Sequence, residues 1–293
     1  MAQSLPTAIL GRTNLNVTRL GWGAAPRRVW TEERAESMFN EVLDAGINYV
    51  DTANDYERSE EFIGKLISHR RDEFYLASKC GCIPGGGSHV FTTENAFRGL
   101  HESLSRLKTD YLDLMQLHNP TASECESGGL VEALTKMRDE GKVRWIGVST
   151  TLPDLPTFLE WGVFDVFQIP YSALQREHEE WINRVAKAGV GTVIRGGVAL
   201  GEPGKGLGLQ DQWKGFDDAN LDDLRQTDES RSAFLLRFTL THPGIHTIIV
   251  GTQNPAHLSE NLSAVNRGHL PADVYKEAKR RLDAIGFQPA EAQ

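Results

Sequence analysis

The stretch TTENAFRGLHESLSRLKTDYLDLMQLH, residues 92–118, places a helical pattern directly before a strand pattern. In its first part, where Thr93 is the expected N-cap, apolar side chains recur three or four residues apart, at Phe97, Leu100, Leu104 and Leu107. This spacing predicts a helix with one apolar face. The last eight residues, YLDLMQLH, are almost continuously apolar, which is typical of a strand buried on both faces in a parallel sheet.

The same alternation extends along the chain in both directions. Seven more short runs rich in β-branched and aromatic residues are VTRLGWG (17–23), NYVDT (48–52), FYLASKC (74–80), VRWIGVS (143–149), DVFQIPY (165–171), GTVIRGG (191–197) and HTIIVG (246–251). Segments with helical periodicity separate most of them. Eight such units in 293 residues match a (β/α)8 barrel better than an open doubly wound sheet, which has about six strands and a Gly-rich first turn.

Three segments lie outside these units. AILGRTNLNVTRL (8–20) is interpreted as a β-hairpin and PADVYKEAKRRLDAI (271–285) as an amphipathic helix. A Gly-rich insertion, from about residue 199 to 228, carries Trp213 and Phe216 and is compatible with a closing lid or with a passive surface loop. We therefore predict an α/β fold with a single domain over residues 1–293, namely a (β/α)8 TIM barrel with an N-terminal β-hairpin and an extra C-terminal helix.

The composition of the chain limits which binding partners and which cellular location are expected. The formal net charge of −9 disfavours nucleic acid, because phosphate binding is driven by clustered Lys and Arg. No run reaches the roughly 18 apolar residues of a membrane helix, and the first residues lack a signal-peptide pattern, so we expect a cytoplasmic protein without a membrane partner. Cys80, Cys82 and Cys125 fit neither a disulfide framework nor a zinc spacing, and no metal is expected.

Four polar residues stand at or just after the ends of predicted strands. Asp51, Lys79 and His118 close otherwise apolar runs, and Tyr56 lies in the loop that follows Asp51. Singly they have ordinary explanations: a turn cap, a lysine reaching solvent, a core histidine and rim packing. In a parallel barrel, however, the active site forms at the C-terminal ends of the strands, so these four side chains are expected to meet there.

The chemistry of these side chains suggests a reaction. A lysine near the barrel axis needs a counter-charge, which Asp51 can supply. An ammonium beside Tyr56 stabilises the phenolate and lowers the pKa from its usual value of about 10, so that Tyr56 can protonate an oxygen. The sequence offers no phosphate clamp, metal triad, nucleophile elbow or carboxylate pair. We therefore expect a reaction of a carbonyl or an alcohol, with a cofactor as the other reactant.

Several motifs resemble those of the aldo-keto reductase superfamily, over nearly the whole chain. In the order and spacing of that family they are DTANDYERSEEFIG (51–64), LASK (76–79), SLSRLKTDYLDLMQLH (103–118), GKVRWIGVS (141–149), FQIPYS (167–172) and HPGIHTIIVGTQNPAHLSENLSA (242–264). The resemblance implies a (β/α)8 barrel that binds a nicotinamide dinucleotide across the strand C-termini without a Rossmann motif. Hydride would pass between the nicotinamide and the carbonyl carbon of a small-molecule substrate.

The resemblance also implies a role for individual residues. Tyr56 falls on the proton donor, Lys79 and Asp51 on the pair that tunes it, and His118 on the residue that orients the carbonyl. The positions that match cofactor-binding residues of the family are Gly23, Ser149, Thr150, Gln168, Arg195, Gly196, Gly197, Gly251, Thr252, Gln253, His257, Glu260 and Asn261.

Two of these positions depart from the common family pattern. Ser149 and Gln168 match residues that bind the nicotinamide carboxamide, but Thr150 stands where asparagine is frequent, and a hydroxyl replaces only part of an amide's bonding. Arg195 stands where an aromatic residue often stacks on the nicotinamide, and a planar guanidinium can also lie flat on a ring. The alternative for Arg195 is an ion pair with a carboxylate at the barrel rim.

The cofactor and the substrate are less defined by the sequence. Residues 251–254 and His257 match the region that holds a 2'-phosphate and offer only neutral donors and one histidine, which weakens recognition of that phosphate. NADPH is the expected cofactor and NADH the alternative. Trp22, Trp30 and Phe91 are candidates for an apolar substrate pocket or for rim packing.

The expected function is therefore an NAD(P)H-dependent oxidoreductase that interconverts carbonyls and alcohols. One alternative is a regulatory protein of the same fold that binds the cofactor with little turnover. The other is a metal-dependent isomerase or lyase on a barrel, which would need clustered carboxylate or histidine ligands at strand ends and would be sensitive to chelators.

Overall fold

The computed structural model describes residues 4–25, 31–83 and 88–291. Eight parallel strands form a closed barrel in the order β10-β3-β4-β5-β6-β7-β8-β9. The barrel strands are β3 (Leu20–Gly23), β4 (Tyr49–Asp51), β5 (Tyr75–Cys80), β6 (Leu112–His118), β7 (Val143–Ser149), β8 (Val166–Pro170), β9 (Gly191–Arg195) and β10 (Thr247–Val250). The predicted (β/α)8 barrel is confirmed, and each of the eight strands lies within one of the eight predicted runs.

Helices cover the outside of the barrel, and their buried faces form the larger apolar core with the outward-facing strand residues. They are α1 (Glu32–Asp44), α2 (Ser59–Leu66), α3 (Thr93–Leu107), α4 (Ala122–Ser127), α5 (Leu130–Asp139), α6 (Leu155–Trp161), α7 (Glu179–Lys187), α8 (Gln210–Asp218), α9 (Arg231–Thr241), α10 (Pro255–Arg267) and α11 (Ala272–Ala284). The expected cap of α3 is displaced by one residue, because Thr92 rather than Thr93 accepts the hydrogen bond from the Asn95 amide.

The N-terminal hairpin consists of β1 (Thr7–Ile9) and β2 (Asn16–Thr18), which pair antiparallel. The prediction that the first barrel strand begins at Val17 is wrong, since Val17 belongs to the hairpin and β3 begins at Leu20. Leu10, Leu15 and Val17 pack with inward-facing barrel residues such as Leu114. The hairpin therefore closes one end of the barrel, which leaves the C-terminal strand ends for a site.

The insertion between β9 and α9 is more ordered than its glycine content suggests. It contains helix α8, and Trp213 and Phe216 are buried in the core. The Trp213 indole also donates a hydrogen bond to the Ala199 carbonyl at 3.1 Å. Both aromatic side chains therefore anchor the insertion to the barrel wall. Among the described residues, no helix is both long and apolar enough to cross a membrane.

Candidate active site

The Asp51 carboxylate is the centre of the polar groups at the C-terminal end of the barrel. One oxygen accepts from Lys79 Nζ at 2.5 Å. The other oxygen accepts from two side-chain amides, Gln116 at 3.0 Å and Gln168 at 2.8 Å. Asp51 ends β4, and β5 lies next to it, so the parallel register carries the Lys79 side chain to the carboxylate. The pairing of Asp51 with Lys79 expected from the sequence is present.

Lys79 is fully buried, and its ammonium is held by fixed partners. Besides the Asp51 contact, Nζ donates to the Thr52 carbonyl at 2.9 Å and lies 4.9 Å from the centroid of the Tyr56 ring. Burial alone lowers the pKa of Lys79, but the charge and the hydrogen bond of Asp51, together with Tyr56, raise it above its ordinary value. Lys79 is therefore a cation at neutral pH.

Tyr56 lies in the loop after β4, mostly buried against Lys79 and His118. The Tyr56 pKa is not lowered toward neutrality as the sequence predicted, although Lys79 does act in that direction. Burial raises the pKa, the Lys79 charge offsets only part of that increase, and Asp51 and Asp55 raise it further, so the pKa lies above its usual value. Tyr56 consequently keeps its proton at neutral pH and presents an acid, not a phenolate.

His118 ends β6 with its ring edge-on to Tyr56, 5.8 Å between centroids. Burial and the nearby positive charge of Lys79 lower the pKa of His118 to about 2. The imidazole is therefore neutral at physiological pH and has one N–H donor. Its Nδ1 lies 2.8 Å from Cys82 Sγ and 3.6 Å from an Asp55 oxygen.

A second group of side chains surrounds His118 on its Nδ1 side. Asp55, Cys82, His89 and His118 each bring one potential metal-ligand atom to within 4.8 Å of the others. No sequence pattern indicates this group, because its members come from four separate segments and the Cys-x-Cys spacing of residues 80 and 82 is not a metal-site spacing.

The residues expected to bind nicotinamide lie on three neighbouring strands but do not all point to open space. Ser149 Oγ donates to Asn119 Oδ1 at 2.9 Å, and an Arg195 Nη lies 3.4 Å from the same oxygen. Thr150 Oγ donates to the Thr151 carbonyl. The amide nitrogen of Gln168 is committed to Asp51, which leaves its amide oxygen for other partners.

Arg195 ends β9 with a buried Nε that has no hydrogen-bond partner among the described residues. Its ion pair with a rim carboxylate, the alternative considered from the sequence, is absent from the described part of the chain, because no carboxylate there lies within 4.0 Å of the guanidinium. A half-buried arginine with an unused donor is a group that a ligand can satisfy.

The glycines of the expected cofactor site fall into two kinds. A Cβ at Gly197 would lie 2.8 Å from an Ile248 methyl group, and one at Gly251 would lie 2.7 Å from the Gly23 carbonyl oxygen. At Gly23 and Gly196 the same addition meets no close contact. Steric reasons therefore require glycine at Gly197 and Gly251, where the backbone packs closely at the end of the barrel.

The remaining expected residues surround the start of α10. Gly251, Thr252 and Gln253 precede the helix, His257 and Glu260 lie on it half-buried, and Asn261 is buried. A basic residue that the sequence analysis did not assign here, Arg34 on α1, donates from Nε to the Gln253 carbonyl at 3.3 Å. The exposed Arg34 guanidinium thus lies beside residues 251–254, where the sequence itself offers only neutral donors and, at His257, a histidine.

Two other residues were missed, although the sequence contains a signal for one of them. Gln116 lies two residues before His118 on β6, so the period of a strand puts both side chains on the same side. A polar residue at that position in an apolar strand indicates an inward-facing hydrogen bond. Asn119, which joins Ser149 and Arg195, has a left-handed backbone (φ 58°) that sequence alone does not reveal.

The aromatic candidates for a substrate pocket have different positions. Trp22 is buried in β3 and packs edge-on against Phe39 with 4.6 Å between ring centroids, so it belongs to the core. Phe91 is half-buried and contacts the His89 ring, beside the polar site. Trp30 lies outside the described residues.

Comparison with known proteins gives consistent matches. A family model described as the aldo/keto reductase family matches residues 18–282. The structure of the aldo-keto reductase AKR11C1 from Bacillus halodurans in its holo form has a TM-score of 0.87 and 28% identity, with 98% of each chain covered. The uncharacterized oxidoreductase YqkF of Bacillus subtilis is 28% identical, over 91% of this chain and 97% of its own length. The NADH-specific methylglyoxal reductase of Escherichia coli is 26% identical over 58% of this chain and 60% of its own length.

We predict that the Asp51 and Lys79 charges stabilise the fold only as a pair. Replacing Asp51 by Asn or Lys79 by Met should each lower the free energy of unfolding by about 3–5 kcal/mol, because one buried charge loses its partner. The double variant should be less destabilised than the sum of the two. Urea unfolding measures the stability of the two single variants and the double variant. The control is Lys65→Met, at a half-exposed lysine on α2, which should change the free energy of unfolding by less than about 1 kcal/mol. Additive effects of the two substitutions would contradict the coupling.

Proposed function

Because the chain belongs to the aldo/keto reductase family of oxidoreductases, we propose that it reduces an aldehyde or ketone with NAD(P)H, or runs the reverse reaction, using Tyr56 as general acid or base. One observation carries this proposal: a protonated tyrosine lies against a buried ammonium that is itself fixed by a carboxylate. That arrangement has little structural use, since an apolar cluster of the same volume would be at least as stable.

The residues of the site are suited to a nicotinamide. The buried Arg195 Nε lacks a partner in the described part of the chain, and the space beside Gly23 and Gly196 is free of close protein contacts. Ser149, Asn119 and the oxygen of Gln168 supply polar groups for a carboxamide, and the Arg195 plane is available for stacking. When bound, the nicotinamide supplies or accepts the hydride at the carbonyl carbon.

Side chains of the protein then transfer the proton and orient the substrate. In reduction, Tyr56 gives its phenolic proton to the carbonyl oxygen as negative charge develops there. The phenolate left behind is stabilised by Lys79, 4.9 Å from the ring, and Lys79 stays charged because Asp51 holds it. In oxidation the direction is reversed, and the Tyr56 phenolate accepts the proton of the alcohol.

His118 has a different task from Tyr56. As a neutral imidazole it can donate one hydrogen bond to the carbonyl oxygen without placing a second full positive charge beside Lys79. It therefore orients the substrate while Tyr56 supplies the proton. The intact set of four side chains favours turnover over the alternative of a regulatory protein that only binds the cofactor.

The phosphate of the cofactor has a candidate partner in Arg34. Its guanidinium contacts the Gln253 backbone, in the segment that matches the family's 2'-phosphate region, and it is exposed to solvent. A guanidinium recognises a phosphate by charge-assisted hydrogen bonds and finds only a hydroxyl in NADH. We propose NADPH as the preferred cofactor for this reason.

Turnover should depend on the Tyr56 hydroxyl. Tyr56→Phe should lower kcat by about 10²–10⁴-fold, because the acid is lost, while the Kd for NADPH changes little. Oxidation of NADPH and NADH with a panel of aldehydes, ketones, quinones and sugars gives kcat, and quenching of tryptophan fluorescence gives Kd. Tyr75→Phe, at the opposite end of β5, is the matched control and should keep wild-type rates. Near-wild-type turnover of Tyr56→Phe with a slow substrate would remove Tyr56 from the mechanism.

Stacking of Arg195 on the nicotinamide predicts different results for two substitutions. Arg195→Tyr keeps a flat partner, so the Kd for NADPH should stay within a few-fold of the wild type. Arg195→Ala should weaken binding by about 1 kcal/mol, roughly five-fold. Equal dissociation constants for the two variants, measured by the same fluorescence titration, would exclude stacking.

A role for Arg34 in phosphate binding predicts a change in cofactor preference. Arg34→Ala should weaken NADPH by about 1.5–3 kcal/mol, the range of a hydrogen bond to a charged group, and leave NADH almost unchanged. Arg58→Ala, at an exposed arginine paired with Glu61 on α2, is the control. A parallel loss for both dinucleotides would mean that Arg34 acts on the loop and not on the phosphate.

A further inference from the structure

We propose that Asp55, Cys82, His89 and His118 form a zinc-binding site, and that zinc bound there reversibly inhibits the enzyme by engaging His118. The inhibition rests on the function proposed above, whereas the binding does not. The four residues come from the loop after β4, the loop after β5, the segment before α3 and the end of β6, and their donor atoms lie within 4.8 Å of one another.

The spacing of the donors is close to that of a tetrahedral zinc site. Zinc–sulfur bonds of about 2.3 Å and zinc–nitrogen or zinc–oxygen bonds of about 2.0–2.1 Å put neighbouring ligand atoms roughly 3.3–3.6 Å apart. The His118 Nδ1 lies 3.6 Å from Asp55 Oδ1, and the His89 Nε2 lies 3.9 Å from Asp55 Oδ2. The contact between Cys82 Sγ and His118 Nδ1, at 2.8 Å, is too short for two ligands of one ion and would have to open by about 0.8 Å.

The charge of the cluster also points to a cation. The Oδ1 atom of Asp55 is buried and lacks a hydrogen-bond partner among the described residues. Lys79, the buried ammonium beside Tyr56, is committed to Asp51. A buried carboxylate oxygen without a hydrogen-bond partner gains a counter-charge when a metal binds.

The donor set selects among metals. One thiolate, two imidazoles and one carboxylate suit zinc, and Co²⁺ as its spectroscopic substitute, whereas Mg²⁺ and Ca²⁺ prefer oxygen ligands. On binding, the Cys82 thiol releases its proton to solvent and the sulfur becomes a thiolate ligand, with no change of oxidation state. Four protein ligands close the coordination sphere, so the bound ion is a regulator and not a Lewis acid for the substrate.

Inhibition follows from the role of His118. The imidazole must shift to open the Cys82 contact, and a misplacement of about 1 Å at a positioning residue is enough to lower turnover by roughly 10²-fold. The bound ion also adds positive charge beside Tyr56. Because His89 is exposed, the ion has direct access from solvent to one ligand, which makes binding and release reversible.

Co²⁺ titration of the chelator-treated protein, without nucleotide or substrate, tests the site independently of catalysis. The wild type should bind one Co²⁺ with tetrahedral visible absorption and a thiolate charge-transfer band, and Zn²⁺ should displace it. Cys82→Ser should lose the charge-transfer band, and His89→Asn should weaken binding at least about 100-fold, since even outer partners of a metal are worth about 10–100-fold. Cys125→Ser in α4 and His101→Asn on α3 are the matched controls and should bind as the wild type does.

An unchanged charge-transfer band and affinity in Cys82→Ser, or an octahedral spectrum in the wild type, would overturn the site and leave the reductase proposal untouched. For the inhibition, Zn²⁺ should lower kcat of the wild type about 10²-fold, a chelator should restore it, and the kcat of His89→Asn should not change when Zn²⁺ is added. Stoichiometric binding without loss of turnover would overturn the inhibition. Absence of turnover before any metal is added would instead refute the proposed function, with the Co²⁺ spectra still deciding the site.

Discussion

The ion pair between Lys79 and Asp51 is the interaction on which the site depends. An ammonium at full burial is tolerated only because the carboxylate faces it at 2.5 Å, and the carboxylate is itself held by two glutamine amides. These four side chains come from β4, β5, β6 and β8, so the network spans half of the barrel. Its geometry is therefore as rigid as the sheet that carries it.

The rest of the site is arranged around this fixed charge. Tyr56 lies against the ammonium, and the same burial that makes the pair costly also keeps the phenol protonated. His118 is kept neutral by burial and by Lys79. Burial thus keeps Tyr56 protonated against the opposing charge of Lys79, and burial and Lys79 together keep His118 neutral, which gives an acid and a hydrogen-bond donor side by side at neutral pH.

His118 also links the reaction site to the cluster of Asp55, Cys82 and His89. Its ring and the Tyr56 ring meet edge-on, while Nδ1 contacts Cys82. Any ligand on the Nδ1 side therefore acts on the residue that faces the substrate. The charge of Asp55 also acts on Tyr56, so the two groups are coupled through both residues.

Local patterns in the sequence were enough to predict the barrel, since helical and strand periodicity are properties of neighbouring residues. They were also enough to predict the polar residues that end its strands. They also suggested the partner of Lys79, because adjacent parallel strands bring their ends together. Contacts between segments that are distant in sequence determined the features that these patterns did not predict. The start of β3, the Gln116 and Gln168 bonds to Asp51, and the approach of Arg34 to Gln253 depend on packing across the fold. The raised pKa of Tyr56 also depends on packing across the fold, because desolvation is set by the groups that surround a side chain in space and not by its neighbours in sequence.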